Sequence, residues 1–178
     1  MKKRILLIGS APYMQSWISD NEEGIKHHFI YALNNAWALY PHRIHTWLYS
    51  SDFFKLPQTL KPTAEQMSEW NTVVKFLDAP IWYNKKESGT MILNALCHIL
   101  NQNHGTPFEL RIAGCDLVYG KGKDHFYEGG TPDPVLLGTD YLRTELERLK
   151  KKAERVGVDI YNVGGQTESI LPFDAGCL

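Results

Sequence analysis

At 178 residues with 43% hydrophobic side chains, the chain can bury a substantial core, and one domain over residues 1–178 is expected. Its formal charge of −1, from 19 basic and 20 acidic side chains spread along the chain, excludes a general electrostatic grip on nucleic acid or anionic lipid. Three cysteines, Cys97, Cys115 and Cys177, with no CxxC spacing, argue against a disulfide framework or a structural zinc site and fit reduced thiols in a cytoplasmic protein.

The opening Lys2-Lys3-Arg4 before Ile5-Leu6-Leu7-Ile8 imitates a signal peptide, but the apolar run is too short and meets Gly9-Ser10 at once. It predicts a strand buried on both faces, then a loop and a short helix. No run approaches the roughly 20 apolar residues of a membrane span, so none is expected.

Phe29-Ile30-Tyr31-Ala32-Leu33 predicts a second strand, ending at Asn34-Asn35, and Ile44 to Tyr49 a third, ending at Ser50-Ser51-Asp52. All three strands close in small polar residues. At the carboxyl edge of a parallel sheet such residues meet ligands, although caps and loops use the same residue types.

Pro57 and Pro62 then break the chain, a helix is expected from near Thr63-Ala64-Glu65, and Val73 to Leu77 suits either strand or helix. Ile81-Trp82-Tyr83 reads as a short strand. Beyond it, Ser88-Gly89-Thr90 opens a largely apolar helix through Met91, Leu93, Leu96 and Leu100. Free N–H groups, two hydroxyls and the nearby Lys85 and Lys86 suit a phosphate there, and equally an ordinary serine cap.

Phe108 to Ala113 predicts a strand ending in Gly114-Cys115-Asp116, followed by a long Gly-rich polar stretch from Leu117 to Pro134. Thr139-Asp140 can cap a helix whose apolar positions, Leu142, Leu146, Leu149, Ala153 and Val156, recur at helical spacing until Gly157. Val158 to Val163 forms the last expected strand, and the chain from Gly164 reads as loop or tail. Strands alternating with helices predict an α/β fold, a Rossmann-like, doubly wound, mostly parallel sheet with helices on both faces.

No complete GxGxxG and no GxxxxGK[ST] is present, so neither the usual dinucleotide fingerprint nor a P-loop accounts for the pattern. Gly9 leaves room for a ligand near the backbone. Asp116 is placed to accept from a sugar, or to act as base or metal ligand, and His125 beside Asp124 to carry a proton. His27, His28, His42 and His45 lack the spacing of a metal helix, so no resident metal is expected. Trp17, Trp37, Trp47, Trp70 and Trp82 are scattered as core residues are, while Tyr40 and Trp70 are candidates for exposed aromatics at a contact between copies in a homo-oligomer.

The segment order now resembles a known family. A first strand ending in Gly9-Ser10-Ala11-Pro12, a second in Asn34 and a third in Ser50 precede Ser88-Gly89 opening a helix. Gly114-x-Asp116 after a strand and the His125-Phe126-Tyr127 stretch complete it. This layout is similar to the bacterial family 42 sialyltransferases and the related DUF115 group, and to small phage-encoded proteins.

The resemblance implies a soluble glycosyltransferase that binds a nucleotide or nucleotide-sugar without a required cofactor. Gly9 and Ser10 would lie near phosphate and ribose, Asn34 and Ser50 beside nucleotide or sugar, Ser88, Gly89 and Thr90 on the cytidine side, and Gly114 with Asp116 beneath ribose or base. His125 would be the base, and Tyr119 or Tyr127 the phenol assisting phosphate departure. The chain departs from the family at Ser10 and Ser50 (Asn there), Lys85 (Arg), Glu87 (Thr) and Gly129, which takes the place of the catalytic histidine. Two alternatives stand beside transfer: a nucleotide- or metabolite-binding protein without turnover, and a diphosphokinase in which Asp116 would hold magnesium.

Overall fold

Unbroken apolar runs in the sequence become parallel strands covered on both sides. The computed structural model describes residues 2–50, 53–55, 60–76, 91–116, 139–164, 169 and 171–178. Its strands are β1 (Lys3–Ile8), β2 (Phe29–Leu33), β3 (Thr46–Ser50), β4 (Thr72–Phe76), β5 (Phe108–Ala113), β6 (Asp159–Asn162) and β7 (Asp174–Ala175). The helices are α1 (Met14–Asp20), α2 (Glu22–Ile25), α3 (Ala64–Glu69), α4 (Met91–Gln102) and α5 (Thr139–Arg155). Short 3-10 turns occupy Asn34–Leu39 and Phe53–Lys55.

Among the described residues the seven strands form one all-parallel sheet in the order β4-β3-β2-β1-β5-β6-β7. The fold is α/β and Rossmann-like. The chain builds outward from β1 to β4, then returns to the other side of β1 to lay down β5, β6 and β7. The carboxyl ends of β1 and β5 therefore flank the point where strand order reverses, the place where open sheets of this type form a crevice.

Alternation along each strand divides the core in two. Ile5 and Leu7 of β1 with Leu110 and Ile112 of β5 pack under α4 and α5. Leu6 and Ile8 face the other way, with Met14, Ile18 and Ile25 of the α1–α2 side and the fully buried Trp47 of β3. Helices thus cover both faces.

The elements end for identifiable reasons. Thr63 and Gln66 form a reciprocal capping box that starts α3. At the end of α5 the Val158 N–H donates to the Ala153 carbonyl (3.0 Å) and the Gly157 N–H to the Glu154 carbonyl (3.1 Å), a Schellman closure. It requires the left-handed φ of +77° that Gly157 supplies.

Several expectations shift. Of the Val73 to Leu77 stretch, Val73 to Phe76 resolves as strand, since Thr72–Phe76 pairs in parallel with β3, and Leu77 lies outside the described residues. The segment after Gly164 is more than tail, because Asp174–Ala175 adds β7 beside β6. Val156 lies past the last turn of α5 and is 51% exposed, while Leu142, Leu146, Leu149 and Ala153 are buried. Tyr40 is not an exposed aromatic: it is buried in the cluster on the α1–α2 side. The strand expected at Ile81-Trp82-Tyr83 lies outside the described residues.

Candidate functional site

The loops after β1 and β5 lie directly against each other. The Gly9 N–H donates to the Ala113 carbonyl at 2.8 Å, and the Ala11 N–H to the Gly114 carbonyl at 3.2 Å. A Cβ on Gly9 would overlap the Gly114 carbonyl and stand 2.5 Å from Cys115 Sγ. Gly114 has a left-handed φ of +71°, and a Cβ there would stand 2.6 Å from Met14 Sδ. Both glycines thus have a packing reason within the chain, independent of any ligand.

Just above this junction sits Asp116, 5% exposed. The Tyr13 hydroxyl donates to its Oδ2 and accepts the Gly114 N–H at 3.1 Å. Asn162 Nδ2, at the end of β6, donates to Oδ1 at 3.4 Å, while Asn162 Oδ1 accepts the Gly164 N–H at 3.2 Å. Asp116 therefore joins the ends of β1, β5 and β6. Among the described residues no lysine or arginine forms an ion pair with it.

This arrangement shapes the neighbouring titrations. Burial, then the hydrogen bond the phenol donates to the Asp116 carboxylate, pushes Tyr13 far above its ordinary value. Burial and the same carboxylate raise the Cys115 thiol, so it stays protonated and inert. A carboxylate held by two neutral donors keeps lone pairs for more, as four such sites are available on its two oxygens.

A second group lies two strands away. Asn34, in a left-handed conformation (φ +44°), accepts the Ser50 N–H on its Oδ1 at 3.1 Å and the Trp47 indole N–H on its carbonyl at 2.8 Å. It ties the carboxyl ends of β2 and β3 together. Asn and Asp tolerate this backbone region better than other side chains, which explains Asn here. Asn35 beside it is buried and accepts the Leu60 N–H at 2.8 Å.

Of the residues singled out by sequence, Gly9, Ser10, Gly114 and Asp116 thus meet at the ends of β1 and β5, and Asn34 and Ser50 meet at the ends of β2 and β3. Because every strand runs the same way, all six occupy one edge. Ser88, Gly89, Thr90, Tyr119, His125 and Tyr127 lie outside the described residues. Sequence reasoning missed Tyr13, Asn162 and Gly164. Asn162-Val163-Gly164 carried the signal, for it repeats the small polar ending seen after the other strands.

Among the described residues no group of three His, Cys, Asp or Glu side chains could hold a metal ion, and no helix is long and apolar enough to cross a membrane. Neither a family model, nor a curated protein, nor a solved structure matches this chain.

Proposed function

We propose that this carboxyl edge binds a nucleotide or nucleotide-sugar, and that the chain transfers the sugar to an acceptor hydroxyl. The observation that carries the reading is Asp116, a buried carboxylate at the strand-order reversal with acceptor capacity left after Tyr13 and Asn162 are served. A ribose or sugar diol supplies the matching donors. Asn34, after β2, and Ser50, at the end of β3, stand two and three strand spacings from β5, about 10 and about 14 Å, a span suited to a ligand of nucleotide-sugar size.

The resemblance assigns His125 as base and Tyr119 or Tyr127 as the phenol at the departing phosphate. Binding without turnover is the second reading, favoured by Gly129 standing where the similar transferases carry their catalytic histidine. The diphosphokinase alternative differs from both in requiring magnesium.

Calorimetry with CMP, CDP, UDP, GDP, AMP and NAD, with and without magnesium, tests the reading. Saturable binding weakened about 10- to 100-fold by Asp116→Asn is expected, the magnitude of a hydrogen bond to a charged group. Absence of binding by every nucleotide would sink it. Hydrolysis of a bound nucleotide-sugar separates a transferase from a binding protein, and a strict magnesium requirement would favour the diphosphokinase.

A further inference from the structure

The amino edge of the sheet, opposite the candidate site, carries histidines that the functional reading does not use. His28, immediately before β2, is 4% exposed. Its Nδ1 lies 2.9 Å from the Gly24 carbonyl oxygen of α2 and its Nε2 2.7 Å from an Arg111 Nη on β5. A carbonyl only accepts and a guanidinium only donates, so the ring is neutral, with its proton on Nδ1 and its lone pair on Nε2.

His45, immediately before β3, repeats the arrangement. Its Nδ1 accepts the Ile30 N–H of β2 at 3.0 Å, while its own backbone N–H donates to the Ile30 carbonyl at 2.9 Å. An amide N–H only donates, so this Nδ1 also carries a lone pair. Two imidazoles acting as acceptors therefore bracket the first residues of β2.

Protonation of either ring replaces an acceptor with a donor that faces a donor. The surrounding charges work against that protonation. Arg4 of β1 and Arg111 of β5 face His28, with Glu109 of β5 3.1 Å from the Arg111 guanidinium. Arg43, two residues before His45, and Lys3 of β1 face His45, whose ring packs on Phe29 at 4.9 Å between centroids. Burial lowers both imidazoles below their ordinary value, and these cations lower them further.

We propose that His28 and His45 form a proton-operated latch on the amino end of β2, holding the strand while neutral and releasing it when protonated. Both values are depressed on folding, so the latch is fully closed above the ordinary value near pH 6.5 and weakens as pH falls below it. Two protons taken up on opening make the opening equilibrium rise by as much as about 100-fold per pH unit, against about tenfold for one.

Native-state amide exchange at Ile30, corrected for the intrinsic rate, tests this between pH 7.5 and 5 in the full chain. His28→Gln keeps an acceptor toward Arg111, and His45→Asn keeps one toward Ile30, but neither titrates. The wild type should lose protection steeply below pH 6.5, each single variant about tenfold per unit, and the double variant little. His98 of α4 is unchanged in every sample, so its share is common to all.

Single variants that lose protection as steeply as the wild type would overturn the latch. Should a variant fail to fold, the wild-type imidazole C2–H resonances decide alone. Titration of both rings near 6.5 with Ile30 protection unchanged overturns the proposal, and rings that titrate only as protection is lost support it.

Discussion

Tyr13 and Asp116 stand 103 residues apart in the chain, yet the phenol of one donates to the carboxylate of the other and in the same position accepts the Gly114 N–H. The hydroxyl thus fastens the loop after β1 to the end of β5. Tyr13→Phe removes it and leaves a buried carboxylate oxygen and a backbone N–H without that partner. The expected loss is about 1–3 kcal/mol, read as a lower urea midpoint with an unchanged slope.

The same contact predicts alkaline lability. The folded-state value of Tyr13 is raised above its ordinary one, so its contribution is complete below about pH 10 and is lost as pH climbs beyond that point, where the unfolded phenol ionises first. Urea midpoints measured from pH 8 to 11 should fall for the wild type. In Tyr13→Phe that component disappears, leaving a shallower decline from the remaining tyrosines.

Glycine substitutions should separate crowding from backbone conformation. At Gly9 an added Cβ meets a backbone carbonyl and Cys115, neither of which can swing aside, and at Gly164 it meets the Tyr13 hydroxyl. Gly105 has a left-handed φ of +82° but nothing within 4 Å of an added Cβ. Gly105→Ala should therefore cost only about 1–2 kcal/mol of backbone strain, whereas Gly9→Ala should cost more or prevent folding. Thermal melts of the two variants side by side check the order, and a reversal would show that the loops after β1 and β5 are not packed as described.

Thiol labelling distinguishes the three cysteines. Cys177 is exposed, while Cys97 and Cys115 are buried. Burial pushes the Cys97 thiol up to about 11 and Cys115 higher still, so neither forms much thiolate at pH 8. A disulfide reagent at that pH should titrate one thiol quickly in the native protein and all three in denaturant.

Strand positions were the most legible part of the sequence: Ile5–Ile8 and Phe29–Leu33 are apolar without alternation, as strands buried on both faces are, and Phe108–Ala113 places Glu109 and Arg111 between apolar residues in the two-residue period of a strand. β7 was not legible. Asp174–Ala175 is two exposed residues held by backbone bonds to β6, and side-chain pattern carries no record of such a contact.

At the candidate site, Asp116 and Asn34 were visible as polar residues closing apolar runs. Their partners were not, since the Tyr13 hydroxyl reaches Asp116 only once β5 lies beside β1. The glycines were visible but for a different reason: Gly9 and Gly114 answer the mutual crowding of two loops. Tyr40, expected as an exposed aromatic, is instead folded under the α1–α2 side, a tertiary contact that its local sequence does not record.

The placement of β1 bears on how the chain comes off the ribosome. One flank of β1 pairs with β2, Ile5 opposite Phe29, but the other waits for β5, where Ile5 meets Leu110 and Ile8 meets Ala113. Until about a hundred further residues have emerged, the apolar Ile5–Ile8 run offers an unpaired edge to every neighbouring nascent chain. Slow synthesis or an early stop before β5 therefore leaves a species primed for aggregation, and a chaperone that covers residues 5–8 would act on the segment that waits longest for its second partner strand.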